Sequence, residues 1–285
     1  MYGYKINLYC EHKVLGTNTK PKMIEKDREK VLIEGIEEGF YPRYLYKYWS
    51  FDSAKRFLAN GKIRYSSCYE FNDPFEGSFG LIGNVTQEEI QTFIEKMVPV
   101  SSQTYLNEDI PYDVLKNFTR NIIKDAIGCV GIFCLAEKNT NLLMWAHYAH
   151  EHEGVCLKFD LLKDTNAFSS LHKVGYTTDY QNFNFVTDLS RVNDILTHKS
   201  VDWMYEKEYR VLKLNKVGLG NVKPEALVEI DFGCRMDKKH KEEIKNLVAS
   251  NPNYNVQFKQ AGMHSNDYSI LICEEDDQRI YYNVS

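Results

Sequence analysis

"NLLMWAHYAHEHEGVCLKFDL", residues 141–161, sets a helical pattern directly against a strand pattern. Thr140 or Asn141 can cap a helix through LLMWAHYAHEH, because a short polar side chain there accepts from the first unpaired N–H groups. Gly154 is its natural stop. VCLKFDL then reads as a strand. On the helix Met144 and Tyr148 stand at i and i+4, and Trp145, Ala149 and His152 form a neighbouring stripe. Such a stripe ordinarily faces a core. Tyr148 comes late, between two apolar strands, where its ring can be half buried and half offered to a cleft that stacks planar ligands.

Outward from this stretch, helix and strand signals interleave without the regular alternation of a doubly wound sheet. PKMIEKDREKVLIEGIEEG reads as an amphipathic helix ending near Gly39. RYLYKY is strand-like, and SFDSAKRFLANG is a short helix capped by Asp52 or Ser53 and stopped at Gly61. KIRYSS, GCVGIFCLA, YRVLKL, ALVEIDFG, YNVQFKQ and YSILICEE read as strands; 86–98, 112–127 and 237–249 read as helices. The expected fold is α+β, a mainly antiparallel sheet core with surrounding helices. With no repeat or flexible linker, residues 41–285 form a single domain, and 1–40 an N-terminal extension packed on it.

Composition narrows the function classes. With 43% hydrophobic and 26% charged residues the chain is of ordinary globular make-up. A formal net charge of −5 argues against general nucleic-acid binding. No apolar run reaches the roughly 20 residues of a membrane helix, so no membrane partner is expected. The start, MYGYKINLYCEHKVLG, lacks the basic and apolar blocks of a signal peptide. None of the seven cysteines forms a CxxC pair, which fits reduced thiols in a cytoplasm. GxGxxG, Walker and HExxH signatures are missing.

Three segments hold candidate site residues. In the first, His147, His150 and Glu151 share a face if the helix continues. Metal ligands, however, should come from separate rigid elements, and a polar last turn explains the histidines equally well, so no metal site is assigned. In the second, KSVDWMYEKEYRVLKL (199–214), Glu206 and Glu208 project to one side of an extended chain. Either they do chemistry or they are solvated, with Lys207 and Arg210 as ion-pair partners. The third is FNDPFEG (71–77), where Asp73-Pro74 signals a turn and Asn72 or Glu76 can touch a ligand.

Taken in order, LYKYWS, FNDPFEG, LLMWAHYAHEHEGVCLKF and DWMYEKEYRVL resemble a widespread, largely uncharacterised bacterial family of unknown function. The likeness runs from about Leu45 through EIDFGCRM. That family in turn resembles the ADP-ribosyltransferases. The resemblance implies a split sheet, NAD as substrate, and a role as a toxin or antiphage defence effector. It places Lys47 at the ribose contact of the first core strand, Tyr148 at the nicotinamide, and Glu208 at the reacting ribose, with Glu206 as an additional acid. Tyr46 and Asn72 complete the implied NAD-binding set. Lys47 stands where the histidine type carries histidine; a lysine donates hydrogen bonds but accepts none. Two alternatives stay open: a metal-dependent nuclease or hydrolase using Asp73, Glu76, His147 and Glu208, and a non-catalytic ligand-sensing domain with an aromatic pocket.

Overall fold

A strand buried on both faces alternates its side chains between two cores, and that alternation builds the centre of this fold. The computed structural model describes residues 21–77, 85–97, 110–180, 184, 186–187 and 192–275. In chain order it begins with α1 (Pro21–Glu37), β1 (Tyr44–Trp49), α2 (Phe51–Asn60) and β2 (Lys62–Tyr65). Next come α3 (Gln87–Met97), α4 (Tyr112–Gly128), β3 (Gly131–Ala136), α5 (Leu142–Tyr148), β4 (Val155–Asp160) and α6 (Thr165–Phe168). The short strands β5 (Leu171–Lys173), β6 (Gly175–Thr177) and β7 (His198–Ser200) follow, with α7 (Val192–Leu196) preceding the last of them. After a 3-10 turn (Val201–Glu206) come β8 (Glu208–Lys213), β9 (Gly218–Asn221), β10 (Leu227–Phe232), α8 (Lys238–Ala249), β11 (Gln257–Met263) and β12 (Ile270–Glu274).

Eight strands form one sheet in the order β12-β11-β10-β4-β1-β3-β8-β5. Neighbours are antiparallel except the parallel β10–β11 pair, so the fold is α+β around a mainly antiparallel sheet. Leu157 and Phe159 of β4 point into the main core with Leu45, Ile230 and Phe232, under Phe57 of α2 and Ile244 of α8. Cys156 points the other way, to Tyr48, Trp145 and Ala261. Burying each large apolar side chain contributes about 1.5–3 kcal/mol. Leu32 of α1 belongs to the main core, which docks this part of the extension on the sheet; residues 1–20 of it lie outside the described residues. No helix among the described residues is long and apolar enough to cross a membrane.

Two local expectations need correction. The N-cap of α2 is Ser50, whose hydroxyl accepts from the Ser53 N–H; Gly61 ends the helix in the left-handed region as expected. Helix α5 is capped by Asn141 but ends at Tyr148, four residues short of the predicted end at His152. His150, Glu151 and His152 all take positive φ, at 47°, 53° and 71°. This left-handed turn docks on the end of β10: the His152 carbonyl accepts from the Arg235 N–H and the Gly154 carbonyl from the Gly233 N–H. A Cβ on Gly233 would lie 2.0 Å from the His152 carbonyl oxygen, so only glycine lets the two backbones meet. The helical face proposed to join His147, His150 and Glu151 therefore does not exist.

Asp231 of β10 is fully buried on the sheet face opposite the main core. One carboxylate oxygen accepts from the Asn139 amide at 2.9 Å, and the other has no partner. Burial, only partly offset by that amide, pushes its carboxyl up to about 7. The folded state therefore holds a proton that the unfolded chain, with an aspartate pKa of about 3.9, releases. Stability tied to that proton is complete below about 3.9 and is lost as pH rises toward about 7. Asp231→Asn keeps the acceptor and removes the titration. Its melting temperature should gain on wild type between about pH 4 and pH 7 and then level off; a gap constant with pH would refute this.

Candidate functional site

Strand β8 reads EYRVLK, and every residue of it but the last is buried, so Glu208 and Arg210 must find their partners within the protein. Arg210 is 0% exposed. Glu208, two residues earlier on the same side of the strand, accepts from Arg210 Nε at 2.9 Å and Nη2 at 3.0 Å. Glu76 accepts from Nη1 at 2.9 Å and Nη2 at 2.6 Å, and the Leu196 carbonyl accepts from Nη1 at 2.7 Å. All five guanidinium donors are thus answered, in two bidentate forks and one backbone bond.

The turn at 71–77 delivers Glu76. Asp73 Oδ1 accepts from the Phe75 N–H at 2.9 Å, and the Asp73 carbonyl accepts from the Glu76 N–H at 3.1 Å. Asp73 accordingly holds the turn, while Phe71 lays its ring 5.4 Å from the Arg210 guanidinium carbon.

Glu206 closes the 3-10 turn and Glu208 opens β8. Lys207 between them adopts φ 45°, so their common direction comes from a left-handed kink and not from the continuous extended chain expected. Nor are they solvated, at 4% and 5% exposed. The Tyr148 hydroxyl donates to Glu206 Oε1 at 2.5 Å, and Lys199 Nζ donates to Oε2 at 2.8 Å. The same ammonium lies 3.5 Å from Glu76, 3.6 Å from Glu208 and 4.6 Å from the centre of the Trp203 ring. The Tyr176 hydroxyl accepts from the Glu208 N–H at 2.9 Å.

The two acids differ electrostatically. Burial would raise Glu208, but Arg210 and Lys199 outweigh it and hold the carboxyl down at about 2, a fixed anion. For Glu206 burial and the Glu208 charge prevail, and its carboxyl is raised despite Lys199 and Tyr148. Burial beside Glu206 also pushes the Tyr148 phenol up, so it stays protonated and donating.

These side chains wall a cleft of about 150 Å³. The six residues that the resemblance implied for an NAD site line it, Tyr46, Lys47, Asn72, Tyr148, Glu206 and Glu208, whereas the other candidates, Asp73, Glu76, His147, His150 and Glu151, do not. Lys47 is tied into the wall, its Nζ donating to the Cys134 carbonyl at 2.8 Å over the Phe133 ring. None of the histidines of 147–152 lines the cleft. Among the described residues no group of three or more His, Cys, Asp or Glu is placed to hold a metal ion. The metal-dependent alternative needed Glu76 and Glu208, which instead grip Arg210.

Two residues of the cleft wall, Arg210 and Lys199, are not among the sequence-derived candidates. Arg210 was expected as a surface partner, although Glu-x-Arg inside an otherwise apolar run is itself a sign of an internal pair. Lys199 was not singled out; only its distance of four from Trp203 hints at the cation–π contact.

Arg210→Met leaves Glu76 and Glu208 buried with a single remaining cation between them and should cost about 3–5 kcal/mol in urea unfolding. Glu208→Gln, which leaves Arg210 its Glu76 fork, should cost about 1.5–3 kcal/mol. Because the folded Glu208 carboxyl is depressed, its contribution is present above about pH 4.3, the unfolded value, and is lost as pH falls toward about 2. An Arg210→Met protein as stable as wild type would refute the arrangement.

No curated protein and no solved structure matches the chain. Residues 144–211, the stretch that carries Tyr148, Lys199, Glu206, Glu208 and Arg210, match the family model described as "Protein of unknown function (DUF2971)", in line with the likeness to a family of uncharacterised proteins.

Proposed function

We propose that the cleft binds NAD by its nicotinamide–ribose end and breaks the bond between the two, passing ADP-ribose to water or another acceptor. The observation that supports this reading is the meeting of an ionised, immobile Glu208, a proton-donating Tyr148 and Glu206 in one cleft. When the glycosidic C–N bond breaks, its electron pair leaves with nicotinamide and positive charge develops on the ribose. A carboxylate already fixed beside that position stabilises the charge without reorganising. Glu206 accepts from a ribose hydroxyl in place of the Tyr148 phenol, whose ring then flanks the nicotinamide. Lys47 spends one N–H on Cys134 and keeps two for a ribose hydroxyl or a phosphate. The cleft is small against a whole dinucleotide, so in this reading the pyrophosphate and adenine lie outside it. An enzyme of this kind acts in the cytoplasm, where NAD is shared by many reactions, as befits a toxin or antiphage effector.

The test is calorimetry with NAD and ADP-ribose, joined to an assay of nicotinamide release. Glu208→Gln should slow release roughly 10²–10³-fold, the scale for losing one preorganised electrostatic contact. NAD affinity should change little, because the contact matters chiefly in the transition state, and the melting temperature should fall only by the amount expected for the lost fork to Arg210. A wild-type protein that neither binds NAD nor releases nicotinamide overturns the reading. NAD binding without release would favour the second reading, a ligand-sensing domain, which is supported by the engagement of both Glu208 oxygens with Arg210.

A further inference from the structure

Arg210 and Lys199 are not equivalent cations. The guanidinium spends all five donors on Glu208, Glu76 and the Leu196 carbonyl and sends none to Glu206. Glu206 has two partners, a neutral phenol at 2.5 Å and the Lys199 ammonium at 2.8 Å. Lys199 is therefore the cation within hydrogen-bond reach of this carboxylate. It sits on β7, seven residues before Glu206, with 6% of its surface exposed. The groups facing it are Glu76 from the 71–77 turn, Tyr148 from α5, Tyr176 from β6, Trp203 and Tyr205 from the 3-10 turn, and Glu208 with Arg210 from β8.

The partners also differ in how easily a ligand displaces them. Removing Arg210 from Glu208 would strand a buried guanidinium and is prohibitively costly. Moving the Tyr148 phenol off Glu206 exposes only a neutral hydroxyl at the wall of a cleft that a ligand hydroxyl can enter. Of the two acids, Glu206 is thus the one a ligand can reach.

We propose that Lys199 is a positioning residue that acts through Glu206: it holds the carboxylate toward Tyr148 and keeps it anionic, so that Glu206 is ready to accept from a ligand hydroxyl. The proposal rests on the functional reading given above for what that acceptance achieves, while the charge-holding role is independent of it. Three carboxylates, Glu76, Glu206 and Glu208, are set against Lys199 and Arg210. When Lys199 is replaced by methionine, Arg210 still neutralises Glu76 and Glu208 in part, and Glu206 takes up a proton from solvent.

The experiment compares wild type, Lys199→Met and Lys199→Met/Glu206→Gln by melting temperature between pH 6 and pH 8, without any ligand. In Lys199→Met the folded state holds a proton that the unfolded state releases, so its deficit against wild type should be small at pH 6 and grow by pH 8. The added Glu206→Gln should remove the pH dependence and restore part of the melting temperature. A deficit independent of pH, or one that Glu206→Gln leaves unchanged, overturns the proposal. Should Lys199→Met not fold at any pH, the double variant decides: a folded double variant supports the role, and an unfolded one overturns it. With NAD, nicotinamide release by Lys199→Met should be at least tenfold slower than wild type at pH 6 and recover toward pH 8, opposite to its stability. Release that falls in step with stability overturns the positioning role. A wild type inert toward NAD overturns the functional reading alone and leaves the melting test to judge Lys199.

Discussion

A guanidinium removed from water has to have its charge and each of its N–H groups answered by protein, and Arg210 meets that condition with groups from three separate places. Glu208 comes from its own strand, Glu76 from the 71–77 turn and the Leu196 carbonyl from the end of α7. Buried ion pairs of this kind add little net stability over a well-packed apolar core, because desolvation cancels most of the attraction. What they supply here is uniqueness: any displacement of the turn or of α7 leaves a buried charge or donor unpaired. The cleft takes much of its shape from that requirement, since Phe71, Asn72 and Glu208 of the wall are fixed by the elements that Arg210 ties together.

The strands were legible because VCLKFD, GIFCLA and YRVLK are apolar enough to have no place but a core, and the same property yielded the α+β class. The convergence of Tyr148 with Glu206 and Glu208 was legible only through the order of the motifs. Pattern reading could not tell whether Glu208 faced water. That depends on Glu76, 134 residues away from Arg210, and no local signal carries such a contact. The error over α5 is of another kind. Ala146, Ala149 and the histidines have no helix-breaking character, and the helix ends early because the next residues dock their backbone on Gly233 and Arg235. Tertiary contact overrides local propensity there. Of the conspicuous histidines, His147 sits in the last turn of α5 and His150 and His152 in the turn that follows, whereas the candidate site is built of a tyrosine, two glutamates and two cations.

The Glu-x-Glu pair also shows how two identical side chains, two residues apart, acquire different characters. A rigid fork makes one of them permanently anionic. A phenol and a flexible ammonium leave the other poised. The difference lies in the partners and not in depth, since both carboxylates are almost equally buried.

The span between Glu76 and Arg210 has a kinetic consequence. Pairings such as β3 with β8 and β1 with β4 are held by apolar side chains and can form before the Arg210 guanidinium is fully desolvated. The fork to Glu76 also needs the 71–77 turn, 134 residues away in the chain, and repays the desolvation of the guanidinium only when turn and strand are both in place, so it closes on strands already paired. Water must leave the guanidinium in that same step. The cleft is therefore completed late, and the amide protons of the 71–77 turn should exchange with solvent by a smaller opening than those of the central strands. The residues that wall the cleft are thus also among the last to be fixed.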